Sequence, residues 1–91
     1  MEERLRELLV KSRGGATRAQ IVAAVETRPR STHRLADDLD FDDKTIRHHL
    51  RILIENGVLQ RSGNEYGAVY LLSDRVRYHR ELLDELVSLS S

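Results

Sequence analysis

"KTIRHHLRILIENG", residues 44–57, decides how this chain folds. An α-helix advances ~100 degrees per residue, so with Ile46 at zero, Leu50 and Leu53 fall within ~40 degrees of it and His49 lies ~60 degrees away. That side is expected to face a core, with His49 partly buried. Lys44, Arg47, His48, Arg51 and Glu55 share an arc from ~100 to ~200 degrees that holds no apolar residue, with Thr45 and Ile52 at its margin. The spacing therefore predicts a helix with an oily inner face and an outer face that is basic except at Glu55. Gly57 follows the last periodic residue, where a glycine readily takes the left-handed cap conformation.

Working outward, "HRLADDLD" carries Leu35, Ala36 and Leu39 on one side after a possible cap at Ser31 or Thr32. "FDD" then interrupts the pattern before it resumes at Lys44, which predicts helix, tight turn, helix. Downstream the period changes to two: "VLQR" and "AVYLL" are β-favouring runs joined by "SGNEYG", whose glycines and asparagine suit a hairpin loop. Upstream, "EERLRELLVKSR" places Leu5, Leu8 and Leu9 on one stripe, and "GG" at 14 and 15 is expected to stop that helix. Thr17 is expected to cap the next, "RAQIVAAVET", with Ile21, Ala24 and Val25 in period until Pro29 breaks it. Ser73 is expected to cap one last helix, "DRVRYHRELLDELVSL", with His79, Leu82, Leu83, Leu86 and Leu89 on its stripe.

The expected fold is mainly α with a small β-hairpin, a winged helix-turn-helix with additional helices at both ends. At 91 residues the chain is expected to form one domain: an amino-terminal helix over 1–16, a winged-helix core over 17–73 and a carboxy-terminal helix over 74–91. Only four aromatics are present, so the core should be aliphatic. The absence of cysteine removes disulfide scaffolds, thiolate metal sites and thiol nucleophiles together. Apolar runs such as "AVYLL" reach only five residues, far short of the ~20 that span a bilayer, so no membrane partner is expected. Fifteen Lys plus Arg balance fifteen Asp plus Glu, and any case for a polyanion partner must rest on where the charges sit.

On the 44–57 helix they sit where a DNA-reading helix needs them. Arginine and lysine donate to guanine edges and phosphates in the major groove, and histidine and threonine make shorter contacts. A merely solvated face is the competing explanation for a charged helix surface. The hairpin tips the balance: Arg61 at its base and Asn64 and Tyr66 in its loop are placed to reach flanking phosphate or minor groove.

The stretch "STHRLADDLDFDDKTIRHHLRILIENGVLQRS", with the closing "YGAVYLLS", resembles the winged helix-turn-helix regulators of the ArsR type, particularly small archaeal members, from about Thr17 to Ser73. The resemblance implies a sequence-specific transcriptional regulator acting in the cytoplasm on double-stranded DNA. In it, residues 43–56 would be the recognition helix in the major groove and 58–72 the wing on backbone or minor groove. It further implies Lys44, Thr45, Arg47, His48 and Arg51 as DNA-facing residues, with Ile46 and Leu50 in the core. The chain lacks the cysteines that metal-sensing members use, and it starts the recognition helix with Asp42 and Asp43, which suit a helix N-terminus but repel phosphate. A winged helix used as a protein-interaction module without direct DNA reading is the alternative.

Two stripes, Leu5, Leu8, Leu9 and Leu82, Leu83, Leu86, Leu89, lie outside the portion that makes a winged helix by itself. They pack either on their own domain or on the same helices of a second subunit, and ArsR-like proteins commonly form homodimers this way. No enzyme, cofactor or metal site is expected. No serine has a "G-x-S-x-G" setting, His48 and His49 point ~100 degrees apart, and His33 and His79 have no evident partner in the sequence.

Overall fold

The computed structural model describes residues 1–64 and 67–90. Helix α1 (Glu2–Arg6) runs on as a π-helical turn over Glu7–Lys11, and α2 (Gly15–Thr27), α3 (Thr32–Leu39) and α4 (Asp43–Glu55) follow. Strands β1 (Leu59–Ser62) and β2 (Val69–Leu72) form an antiparallel hairpin, and α5 (Asp74–Arg77) and α6 (Arg80–Leu89) complete the order. This is the expected winged helix-turn-helix. Among the described residues no helix is long and apolar enough to cross a membrane.

Local chemistry sets most of the boundaries. Ser31 Oγ accepts from the Arg34 amide at 3.1 Å to start α3. Asp40 closes α3 in the left-handed region at φ 61, and Asp42 Oδ1 accepts from the Thr45 amide at 2.7 Å to start α4. Gly57 takes φ 74, as its place after α4 requires. Register in the hairpin pairs Leu59 with Leu72 and Arg61 with Tyr70. Arg30 adds a single-residue bridge on the other side of Tyr70, its carbonyl accepting from the Tyr70 amide at 2.8 Å, so the wing is fastened to the entrance of α3.

Two boundaries differ from expectation. Gly14, not Thr17, precedes α2, at φ 84, and the "GG" pair starts this helix rather than only ending the first. A Cβ on Gly14 would lie 2.9 Å from His49 Cε1, so packing as well as backbone conformation excludes a side chain there. The last segment is not one helix: Ser73 Oγ caps only α5, accepting from the Val76 amide at 3.0 Å. The chain then tightens through a bond from the His79 amide to the Val76 carbonyl and restarts at Arg80. His79 thus precedes α6 as an exposed residue instead of joining its apolar stripe.

One aliphatic core joins every helix to the hairpin, with Leu5, Leu9, Ile21, Leu35, Ile46, Leu53, Val58, Val76, Leu83 and Leu86 fully buried. Each such side chain contributes about 1.5–3 kcal/mol by leaving water. Leu5, Leu8, Leu9, Leu83 and Leu86 therefore pack on their own chain, because α6 and the first helix cover each other and α2. Of the seven leucines considered for a subunit interface, only half-buried Leu82 and exposed Leu89 keep surface for a partner. Arg80 Nε ties α6 to α2 through Glu26 Oε2 at 2.7 Å, and Ser90 Oγ donates to the Leu9 carbonyl. The Glu26 carboxyl is raised above its ordinary range by burial and by its hydrogen bond with Asp84, against the lowering pull of Arg80.

Candidate nucleic-acid interface

Helix α4 buries Ile46, His49, Leu50 and Leu53 and leaves Lys44, Arg47, His48 and Arg51 exposed, so the wheel's division of the segment holds in three dimensions. His49 is more buried than expected, at 8% exposure. Thr45 is half-buried, and its amide is engaged by the Asp42 cap. Bonds from Thr45 hold the Asp42 carboxyl below its ordinary range, aided by Lys44 and Arg47, so the start of α4 keeps a negative charge.

An open groove of 440 Å³ runs between α4, the start of α3 and the hairpin, lined by Ser31, Thr32, His33, Asp43, Arg47, Arg61, Ala68 and Tyr70. It brings Arg47 of the helix and Arg61 of the wing onto one concave surface. Asn64 lies exposed at the hairpin turn, its Oδ1 accepting from the Gly67 amide at 3.1 Å. Tyr66 lies outside the described residues.

Several neighbours of this surface were not singled out from the sequence. His33 stands between two carboxylates, Nε2 at 3.5 Å from Asp37 and Nδ1 at 3.5 Å from Asp43, so it links α3 to the start of α4. The i, i+4 spacing of His33 and Asp37 was a readable signal; Asp43 comes from the tertiary fold. Because the two carboxylates contact opposite ring nitrogens, they do not converge as metal ligands, and no metal-binding group of three or more such residues occurs among the described residues. Arg30 and Arg34 pair with Asp38 at 3.0 and 3.5 Å, which spends part of the basic run "RPRSTHR" on the protein itself. Exposed Arg28 borders a second, shallower groove beside Pro29, Ser31, Arg34 and Val69.

The family profile described as "Bacterial regulatory protein, arsR family" matches residues 15–61, the span from α2 through α4 into β1. No curated protein matches the sequence. Among solved structures, reduced HlyU from Vibrio cholerae N16961 is similar at 21% identity and TM-score 0.70, covering 93% of this chain and 87% of HlyU. Another structure of the same HlyU aligns at 24% identity and TM-score 0.70, covering 92% of each chain. A protein of unknown function from Listeria innocua Clip11262 aligns at 16% identity and TM-score 0.70, over 97% of this chain and 66% of its own. At these identities the likeness is one of fold.

Proposed function

The chain belongs to the arsR family of bacterial regulatory proteins, DNA-binding transcription regulators rather than enzymes, and from that premise we propose that it reads DNA sequence-specifically as a homodimer in the cytoplasm. In this proposal α4, with the turn to residue 56, enters the major groove and presents Lys44, Arg47, His48 and Arg51 to base edges and phosphates, with Thr45 near its entry. The hairpin over 58–72 rests on the backbone or minor groove, where Arg61, Asn64 and Tyr66 are the contacting residues.

The observation that supports this most is the shared surface of Arg47 and Arg61: a helix cation and a wing cation line one open groove, with Asp43 beside them. Terminal apolar surface left over after the core is filled supports the dimer. Leu89 is 60% exposed and Val10 41% exposed, with Leu82 half-buried on the same terminal helix as Leu89. Exposed apolar side chains on terminal helices are a usual place for a second subunit.

Selection of bound fragments from genomic DNA, followed by salt titration of a selected duplex, tests the proposal. Enrichment of a common two-fold sequence and steeply salt-dependent binding are expected. Failure to bind any duplex at low salt would favour the alternative of a protein-interaction module, which the balanced net charge and the acids at Asp42 and Asp43 favour.

A further inference from the structure

Arg18 is a permanently charged side chain at 4% exposure, and it forms no ion pair among the described residues. Neutral groups take all its bonds instead. Nε donates to the Leu8 carbonyl at 2.8 Å, and Nη2 donates to Ser12 Oγ at 2.5 Å and to the Arg13 carbonyl at 3.2 Å. These acceptors end the amino-terminal helix, whose carbonyls favour a cation. Nη1 lies 3.2 Å from Nδ1 of His49, on the buried side of the recognition helix.

A guanidinium only donates, so at this contact the imidazole must accept. Nδ1 then carries no proton, and His49 is neutral with its proton on Nε2. The surroundings enforce that state: burial first, then Arg18 from α2, then His48 from α4 itself, each disfavours the imidazolium, and no carboxylate among the described residues offsets them. Gly14 lies across the ring, so close that a Cβ there would be 2.9 Å from His49 Cε1 and 3.2 Å from Arg18 Nη1. A second tie, from Arg4 to Asn56 Oδ1, joins the same amino-terminal helix to the end of α4.

We propose that the Arg18–His49 contact is a proton-sensitive latch holding the recognition helix in its DNA-reading position, closed when His49 is neutral and released when Nδ1 gains a proton. Protonation turns the acceptor into a donor facing another donor and places two cations together out of water. Arg18 and His49 are positioning residues here: neither faces the nucleic acid. The proposal rests on the reading that α4 binds DNA, but part of its test does not.

That part is nitrogen-resolved NMR of the histidine rings in the free protein. Nδ1 of His49 should be unprotonated at neutral pH, and its titration should move the amides of Leu8 and Ser12 together with those of α4. A protonated Nδ1 at neutral pH, or a titration that leaves those amides still, overturns the latch whether or not the protein binds DNA. The second part compares affinity for a selected duplex at about pH 7.5 and about pH 5.5, in proteins carrying His48→Gln so that the DNA-facing histidine adds no charge of its own. With His49 present, affinity should fall by about tenfold on acidification. With His49→Asn, whose amide oxygen is three bonds from Cα like Nδ1 and so stands in as the acceptor for Arg18, that fall should be lost, leaving only what His33 in the groove contributes. Equal ratios in the two proteins would overturn the latch. Absence of duplex binding by the unsubstituted protein at every pH would overturn the DNA reading and leave the ring measurements to decide the latch.

Discussion

Helices α4 and α6 present similar apolar stripes in the sequence, yet the stripe of α4 is spent entirely inside the chain and that of α6 is not. Ile46, Leu50 and Leu53 are covered by α2, α3 and the hairpin, whereas on α6 burial stops at Leu86 and leaves Leu89 60% exposed. Their opposite faces differ as well: α4 turns out a cluster of cations, while α6 turns out Glu81, Asp84 and Glu85 together with Arg80. Hydrophobic period reveals which side of a helix is dry, but how much of that side one chain can cover depends on the elements packed over it. Leftover apolar surface at α6 and leftover positive charge at α4 are thus the two features on which the proposed subunit and DNA contacts rest.

The largest effects should come from where the two helices are alike. Leu50→Ala and Leu83→Ala each remove a side chain from the same core and should each cost about 2–5 kcal/mol of stability, read from urea unfolding. A loss from Leu83→Ala that vanished on dilution of the protein would mean that its burial depends on a second subunit. Next come substitutions that separate the helices. Arg47→Ala and Arg51→Ala should each weaken duplex binding by about 1–3 kcal/mol while leaving the urea midpoint in place. Unchanged affinity in both would remove α4 from the DNA-reading role. Leu89→Ser should act in the converse way, weakening self-association in sedimentation equilibrium by about 1–2 kcal/mol with little change in DNA contacts per subunit. Unaltered association would place the subunit interface elsewhere.

The same contrast explains what could be read in advance. The helix-turn-helix and hairpin were legible because each signal is local: the caps at Ser31 and Asp42, the glycine at 57, and a change of period from 3.6 to 2 at Val58. The exposed cations of α4 were legible because they fill one arc of one helix. What escaped were features made by distant residues meeting. The leucines of the two terminal helices cover one another, Arg18 and His49 meet 31 positions apart, and His33 finds Asp43 across the turn. The break at Tyr78 and His79 escaped for a related reason. No proline or glycine marks it, and it is visible only in the backbone, where the His79 amide bonds the Val76 carbonyl three residues back before α6 restarts at Arg80.

Asp42 offers the finest test of how α4 balances folding against binding, because one carboxylate serves the first and opposes the second. It caps the helix, and its charge stands at the end of the surface proposed to meet phosphate. Asparagine caps about as well as aspartate, so Asp42→Asn should keep the helix and remove only the charge. Duplex binding should tighten slightly at low salt, and the gain should shrink as salt screens it. The folded carboxyl titrates below its unfolded value of about 3.9, so its stabilising contribution is complete above that pH and is lost as pH falls through the lower folded value. Urea midpoints of wild type and variant should therefore run parallel at neutral pH and converge or cross below about pH 4, where only the aspartate loses its charge. Parallel curves throughout would show that the Thr45 amide gains nothing from a charged acceptor. In that case the cap at the start of α4 owes nothing to its charge, and the charge has no folding role to set against the repulsion of DNA that the proposal assigns it.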